Sequence, residues 1–173
     1  MGGDRRGKDE GGVENDTFFS KNDFFLWCFL ASPAAATDFP GPYFGDVIRV
    51  IDGDTFEAKV EIWPTISATV NVRLKGIDAP ELNRSKCPQE KIGAMDARDA
   101  MVEIIPPGTQ VRLENVENGS FAGRVIADVF RQVDVRGRTL IELLRNRDAP
   151  VCPWIPGQPD IDWCGEMPAN CWN

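Results

Sequence analysis

Histidine is absent from the chain, and this absence narrows the chemistry that the protein can perform. No imidazole is available to act as a general base, to complete a Ser–His triad or to ligate zinc. Any catalysis must therefore depend on carboxylates, arginine, lysine, hydroxyl groups or thiols.

The chain also lacks a surplus of positive charge. Its formal net charge is -8, whereas a protein that holds nucleic acid usually carries a basic footprint. Much of the acidic excess lies in the N-terminal run and the C-terminal tail, and residues 44–147 are close to balanced. Charge alone therefore argues against a nucleic-acid partner, although a bound metal ion would supply local positive charge.

No hydrophobic run is long enough to span a bilayer. The apolar stretch at 24–31 is far shorter than the roughly 20 residues of a transmembrane helix, so we expect no stable membrane span. Small residues follow it, which is typical of a signal peptide, and we assign 23–36 to a signal core and cleavage region. This predicts a secreted or periplasmic protein; the alternative is a short buried or interfacial helix in a cytoplasmic one. Residues 1–22 are polar, charged and glycine-rich, which predicts disorder.

Beyond these segments the pattern is typical of short strands. Five segments are β-rich or alternate apolar and polar residues: 47–51, 55–62, 68–74, 111–113 and 124–130. Two segments have helical spacing, 88–105 and 139–147. This order predicts a mainly β protein with helices (α+β), namely a five-stranded OB-fold barrel with about two packed helices, over 44–147. The remaining tail, 148–173, is rich in Cys, Pro and Trp and is predicted to be a pinned loop.

Three short segments at predicted strand ends carry the residues that could do chemistry: IDGDT at 51–55, RLKGIDAPE at 73–81 and GR at 123–124. Each is uninformative alone, since Asp-Gly between strands is usually a hairpin turn. Together they would place Asp54, Asp78 and Glu81 on one rim of the barrel, beside Arg73 and Arg124.

These side chains suit a metal and a phosphate. Clustered carboxylates favour a hard cation such as calcium, which takes oxygen ligands in flexible geometry. Arginine binds phosphate oxygens with two parallel hydrogen bonds and does not lose its charge. A metal and two arginines that face one phosphodiester make a site for phosphoryl chemistry.

The same segments resemble the staphylococcal nuclease (thermonuclease-like) family, and the third extends as GRVIADV over 123–129. They stand in the family's order and roughly its spacing, and the resemblance covers about residues 44–147. It implies a calcium-dependent nuclease, an endonuclease, that hydrolyses phosphodiester bonds of DNA and RNA.

The resemblance also implies a metal site. Asp54 and Asp78 correspond to carboxylates that bind calcium, and Ala79 stands where a backbone carbonyl contacts the ion. Asp52 corresponds to a carboxylate near the metal, behind its direct ligands.

The catalytic residues implied by the resemblance are Arg73, Glu81 and Arg124. Glu81 corresponds to the general base that orients or deprotonates the attacking water, and the two arginines to clamps on the phosphate. Before the Gly-Arg pair the chain has Phe121 where the family often has tyrosine. A phenylalanine could stack on a base but has no phenol group with which to hydrogen-bond a phosphate. The resemblance therefore does not imply which base the protein prefers.

The chain has five cysteines, of which Cys28 lies in the predicted signal region. The other four form an even set, which in an exported protein favours disulfides, and three pairings are possible. Exported relatives that resemble this chain often have cysteines at positions corresponding to Cys87 and Cys164, which implies that pair. Cys152 with Cys171 then follows by elimination. Four free thiols in a cytosolic protein are one alternative, and a zinc site is another, although the cysteine spacings lack a Cys-x-x-Cys pair.

Two other functions fit the same residues. The first is a catalytically inactive OB-fold module that binds nucleic acid or protein, since function lies in the site and not in the fold. The second is a structural domain in which calcium serves folding only. The paired arginines and the full set of acids favour the nuclease. We expect a monomer.

Overall fold

The computed structural model describes residues 39–165 and residue 171 of the chain. The predicted disordered segment at 1–22 and the predicted signal region at 23–36 lie outside the described residues. In chain order the elements are β1 (Tyr43–Val50), β2 (Thr55–Trp63), β3 (Ile66–Leu74), β4 (Ile77–Asp78), α1 (Pro88–Ile104), β5 (Gln110–Asn118), β6 (Arg124–Arg131), α2 (Leu140–Arg145) and β7 (Cys152–Pro153).

Five of the strands close into a barrel in the order β1-β2-β3-β6-β5, and β5 pairs with β1 to complete the ring. Strands β3 and β6 are parallel, and all other barrel neighbours are antiparallel. The two helices contact each other, α1 also contacts β1, and α2 contacts β6. This architecture confirms the predicted class, which is mainly β with two helices around an OB-type barrel.

The alternation of side chains along the strands fills the barrel interior and sets what faces outward. On β3, Val72 and Leu74 are buried, and on β6 Ala127 and Val129 are buried. Because successive side chains of a strand point to opposite faces, Arg73 is turned away from this core. The apolar pattern that drives folding therefore also directs a charged residue to the outer surface.

Helix α1 packs its small apolar face inward. Ala94, Ala97 and Met101 are fully buried. The helix begins after Cys87, whose sulfur accepts an N–H of the first turn, and Pro88 occupies the first helical position. It ends one residue before its predicted end.

Helix α2 is shorter than the predicted 139–147 segment. Thr139 is the N-cap and forms a reciprocal capping box with Glu142, so the helix proper starts one residue later. Asn146 is the C-cap. Within the described residues, neither this helix nor α1 is both long and apolar enough to cross a membrane.

The tail, predicted to be a loop, contributes a strand. Strand β7 pairs antiparallel with β4, so that Cys152 lies opposite Asp78. Disulfides join Cys87 to Cys164 and Cys152 to Cys171, the two pairings given above. Strands of two residues are too short to produce a periodic sequence pattern, so this pairing has no signal in the sequence.

Candidate functional site

The turn between β1 and β2 carries Asp52, Gly53 and Asp54 and packs closely against helix α1. A Cβ on Gly53 would lie 2.4 Å from the Ala97 Cβ and 3.0 Å from the Ala79 Cβ, nearer than carbon atoms approach without a bond. Only glycine allows this approach, so the packing requires glycine at position 53. This packing in turn fixes the positions of Asp52 and Asp54 on either side of it.

Asp54 is a buried acid whose negative charge is only partly compensated by its neighbours. Its side chain is 2% exposed, and its Oδ1 accepts a hydrogen bond from the Thr55 hydroxyl at 2.7 Å. Its Oδ2 lies 2.7 Å from Arg73 Nη1 in an ion pair, and this oxygen accepts no hydrogen bond from the part of the chain that the structure describes. Burial raises the pKa of the Asp54 carboxyl well above its usual range; Arg73 lowers it in part, and Asp52 raises it again.

Arg73 brings two of the motifs into contact. Its Nη1 lies 2.7 Å from Asp54 Oδ2, and its Nη2 donates to Asp78 Oδ1 at 2.5 Å. Burial lowers the pKa of the Arg73 guanidinium, but the ion pairs with Asp54 and Asp78 raise it by more, so it lies above its ordinary value. The guanidinium therefore stays charged and partly neutralises both acids.

Asp78 is held by the short strand pair at the edge of the site. It lies on β4, where its backbone pairs with that of Cys152 on β7. Its side chain is 26% exposed, so it faces solvent as well as Arg73. Ala79, which follows, is buried against Gly53. Strand β7 thus anchors the segment that carries two of the three predicted metal ligands.

Glu81 lies on the loop between β4 and α1, with its side chain exposed to solvent. Its backbone N–H points to Oε1 of Glu90 at 3.5 Å. Glu90 belongs to the first turn of α1 and is 3% exposed. Sequence reasoning did not identify Glu90, because an acid in the first turn of a helix ordinarily indicates capping.

Arg124 lies on the strand next to Arg73, on the same outer face of the barrel. The parallel pairing of β3 with β6 sets Asn71 opposite Arg124 and Arg73 opposite Ile126, so the two arginine Cα atoms are roughly 8 Å apart by strand spacing. The Arg124 Nε is buried and has no hydrogen-bond partner among residues 39–165 and 171, and its guanidinium carbon lies 5.1 Å from the centroid of the Phe121 ring. Phe121 is 67% exposed, which leaves its ring open to stacking.

Direct contacts thus join three of the predicted site residues, Asp54, Arg73 and Asp78. Arg124 follows on the same barrel face, and Glu81 lies on the loop that continues from β4. The acids fit a calcium ion, because their oxygens are the donors that this cation prefers. The buried Oδ2 of Asp54 contacts the Arg73 guanidinium at 2.7 Å and accepts no hydrogen bond from the described residues, which fits an oxygen that can also contact a metal ion.

A second group of potential metal donors lies at the start of α1. One ligand atom from each of Cys87, Glu90 and Cys164 falls within 4.8 Å of the others. The two sulfurs, however, are bonded to each other, whereas the metal-binding form of cysteine is the free thiolate. While the disulfide is intact, Glu90 is left as the member of this group that could bind a metal through oxygen, so the group does not suit a metal that prefers several oxygen ligands.

No model of a known protein family matches the chain, and no curated protein matches it either. The contacts among Asp54, Arg73 and Asp78, and the motifs that place them, therefore carry the functional conclusion.

Proposed function

We propose that the protein is a calcium-dependent nuclease, related to staphylococcal nuclease, that hydrolyses phosphodiester bonds within DNA and RNA. The observation that carries this proposal is the double contact of Arg73 with Asp54 and Asp78, beside a second arginine on the adjacent strand. Acids that suit a hard cation contact Arg73, and the two arginines that suit a phosphate lie on the same outer face of the barrel.

Asp54 and Asp78 would hold the calcium ion, together with the backbone carbonyl of Ala79. When bound, the ion supplies positive charge to the phosphate oxygens and to the attacking oxygen. Asp52 supports this arrangement from behind, since its Oδ1 accepts the backbone N–H of Asp54 at 3.3 Å.

The remaining steps belong to side chains of the chain itself. Arg73 and Arg124 bind the phosphate oxygens and neutralise the charge that builds up when the phosphorus is attacked. Glu81 accepts a proton from the attacking water, for which its exposure to solvent is suitable. As the water oxygen bonds to phosphorus, the P–O ester bond opposite it breaks, and the leaving oxygen takes a proton from solvent water. Phe121 offers a face on which a base can stack. None of these contacts requires a 2′-hydroxyl, which supports action on both DNA and RNA.

The proposed enzyme acts outside the reducing cytosol. Its two disulfides support an exported location, since such bonds persist mainly in oxidising compartments.

Turnover of denatured DNA and of RNA by the purified chain at saturating calcium tests the proposed roles. We expect Glu81→Gln and Arg124→Ala each to reduce kcat by about two to three orders of magnitude, as loss of one preorganised charge-stabilising group does elsewhere. Asp96→Asn removes an exposed carboxylate from α1 and serves as the matched control, with activity close to wild type. Wild-type rates in the Glu81 and Arg124 variants would refute these assignments.

A catalytically inactive binding module is the second candidate. The exposed Phe121 ring beside the Arg124 guanidinium favours it, because OB-fold proteins that bind single strands use aromatic and cationic platforms. This candidate predicts that the chain retards a labelled single strand in a gel and leaves its length unchanged, with calcium or without.

A further inference from the structure

We propose that Glu90 is a positioning residue for Glu81, a role that rests on the proposed function. The Glu90 carboxylate is buried, and burial of a carboxylate is costly unless hydrogen bonds satisfy its oxygens. Its bonding partners therefore indicate what the residue does.

The carboxylate of Glu90 closes the loop between Glu81 and Lys86. Its Oε2 accepts the backbone N–H of Lys86 in a close contact, and its Oε1 faces the backbone N–H of Glu81 at 3.5 Å. The next residue, Lys91, donates from its Nζ to the backbone carbonyl of Leu82. The first turn of α1 thus contacts the backbone of this loop at its first, second and last residues.

Helix capping does not explain these contacts. In a capping box the third helical residue returns to the N–H of the N-cap, as Glu142 does in α2. Here the N-cap Cys87 accepts the N–H of Glu90 through its sulfur at 3.4 Å, and the disulfide to Cys164 fixes that cap. The Glu90 carboxylate instead reaches past the cap to the loop.

The consequence concerns the proposed general base. A base must lie within hydrogen-bond reach of the water that it deprotonates, and displacement by about 1 Å can cost as much as 100-fold in rate. Glu81 is exposed, and Glu90 faces its backbone N–H at 3.5 Å while it accepts the Lys86 N–H at the other end of the loop, so the carboxylate of Glu90 influences where the Glu81 side chain begins. Loss of that contact should impair the chemical step and leave phosphate binding by Arg73 and Arg124 largely unchanged.

Glu90→Gln tests this role with little change in side-chain volume. The amide keeps one carbonyl oxygen but presents an NH₂ group to one of the two backbone N–H donors, so one contact is lost. We expect kcat at saturating calcium to fall about tenfold while KM stays within about twofold. Asp96→Asn, on the same helix, should leave both parameters unchanged.

A double-mutant cycle separates positioning from general stability. If Glu90 acts through Glu81, adding Glu90→Gln to the Glu81→Gln variant should change the residual kcat by less than about twofold. Equal losses in both backgrounds would overturn the inference and leave Glu90 a structural residue. Absence of cleavage by the wild type with calcium would instead refute the proposed function, and this role with it.

A second substitution keeps the cycle usable if the glutamine variant does not fold. Glu90→Asp retains the charge but withdraws the carboxylate from the loop by one methylene. It should lower kcat in the wild-type background and leave the Glu81→Gln background unchanged. A loss of kcat in both backgrounds would overturn the inference in the same way.

Discussion

At the scale of single residues, the site depends on one acid that the fold buries, where the charged form of a carboxyl group is unfavourable. Asp54 is buried, Arg73 compensates its charge only in part, and its Oδ2 accepts no hydrogen bond within the described part of the chain. The close packing of Gly53 on Ala97 fixes the turn that carries this acid. A residue held in this way is typical of a functional site, where the fold bears a local cost for a ligand.

The raised pKa of Asp54 predicts a pH dependence of stability in chelator. Because the pKa is higher in the native state, the native protein binds a proton that the unfolded chain has already released. The contribution of Asp54 to stability therefore falls as the pH rises from the ordinary value of 3.8 through the raised pKa. Asp54→Asn should lack this fall, so that its melting temperature relative to wild type increases with pH.

Melting curves in chelator at several pH values check this prediction, with Asp96→Asn as the control that should retain the wild-type slope. Calcium should reduce the difference, because the ion stabilises the charged carboxylate. A melting temperature difference between Asp54→Asn and wild type that stays constant over this range would contradict the account.

At the scale of elements, the sequence predicted the strands and helices that have a periodic pattern of apolar residues, and it did not predict the short strands that lack such a pattern. The alternation in 68–74 and the helical spacing of Ala94, Ala97 and Met101 follow from burial on one face, so both elements were predictable. Strands β4 and β7 have two residues each and depend on the tail returning to the edge of the site, which no local pattern shows. The contacts of Glu90 were missed for another reason: an acid in the first turn of a helix ordinarily indicates capping, and the fold of the preceding loop around it leaves no periodic pattern.

The two disulfides should differ in their contribution to stability. Cys87 and Cys164 are separated by 77 residues, and Cys152 and Cys171 by 19. In the chain-entropy model, removing the longer bridge costs about 4.5 kcal/mol and removing the shorter one about 3 kcal/mol. Denaturant unfolding of the two paired Cys→Ser variants measures both losses. A larger loss for the shorter bridge would contradict this order.

At the scale of the whole molecule, the net charge of the chain opposes the binding that the proposed function requires. The chain carries a formal net charge of -8, and its proposed substrate is a polyanion. Arg73 and Arg124 on one outer face, with a cation held by Asp54 and Asp78, would reverse the sign of the potential locally. The dependence on calcium is therefore the property that separates the proposed nuclease most clearly from a passive barrel.

The most direct test is a calcium titration of the cleavage of one labelled, denatured DNA strand by the full chain. We expect no shortening in chelator, shortening that rises and saturates with calcium, and full recovery when calcium is restored after chelation. Asp78→Asn should require more calcium for the same rate, because one proposed ligand has lost its charge. A strand that is retarded but never shortened at any calcium concentration would contradict the account and leave a nucleic-acid-binding barrel.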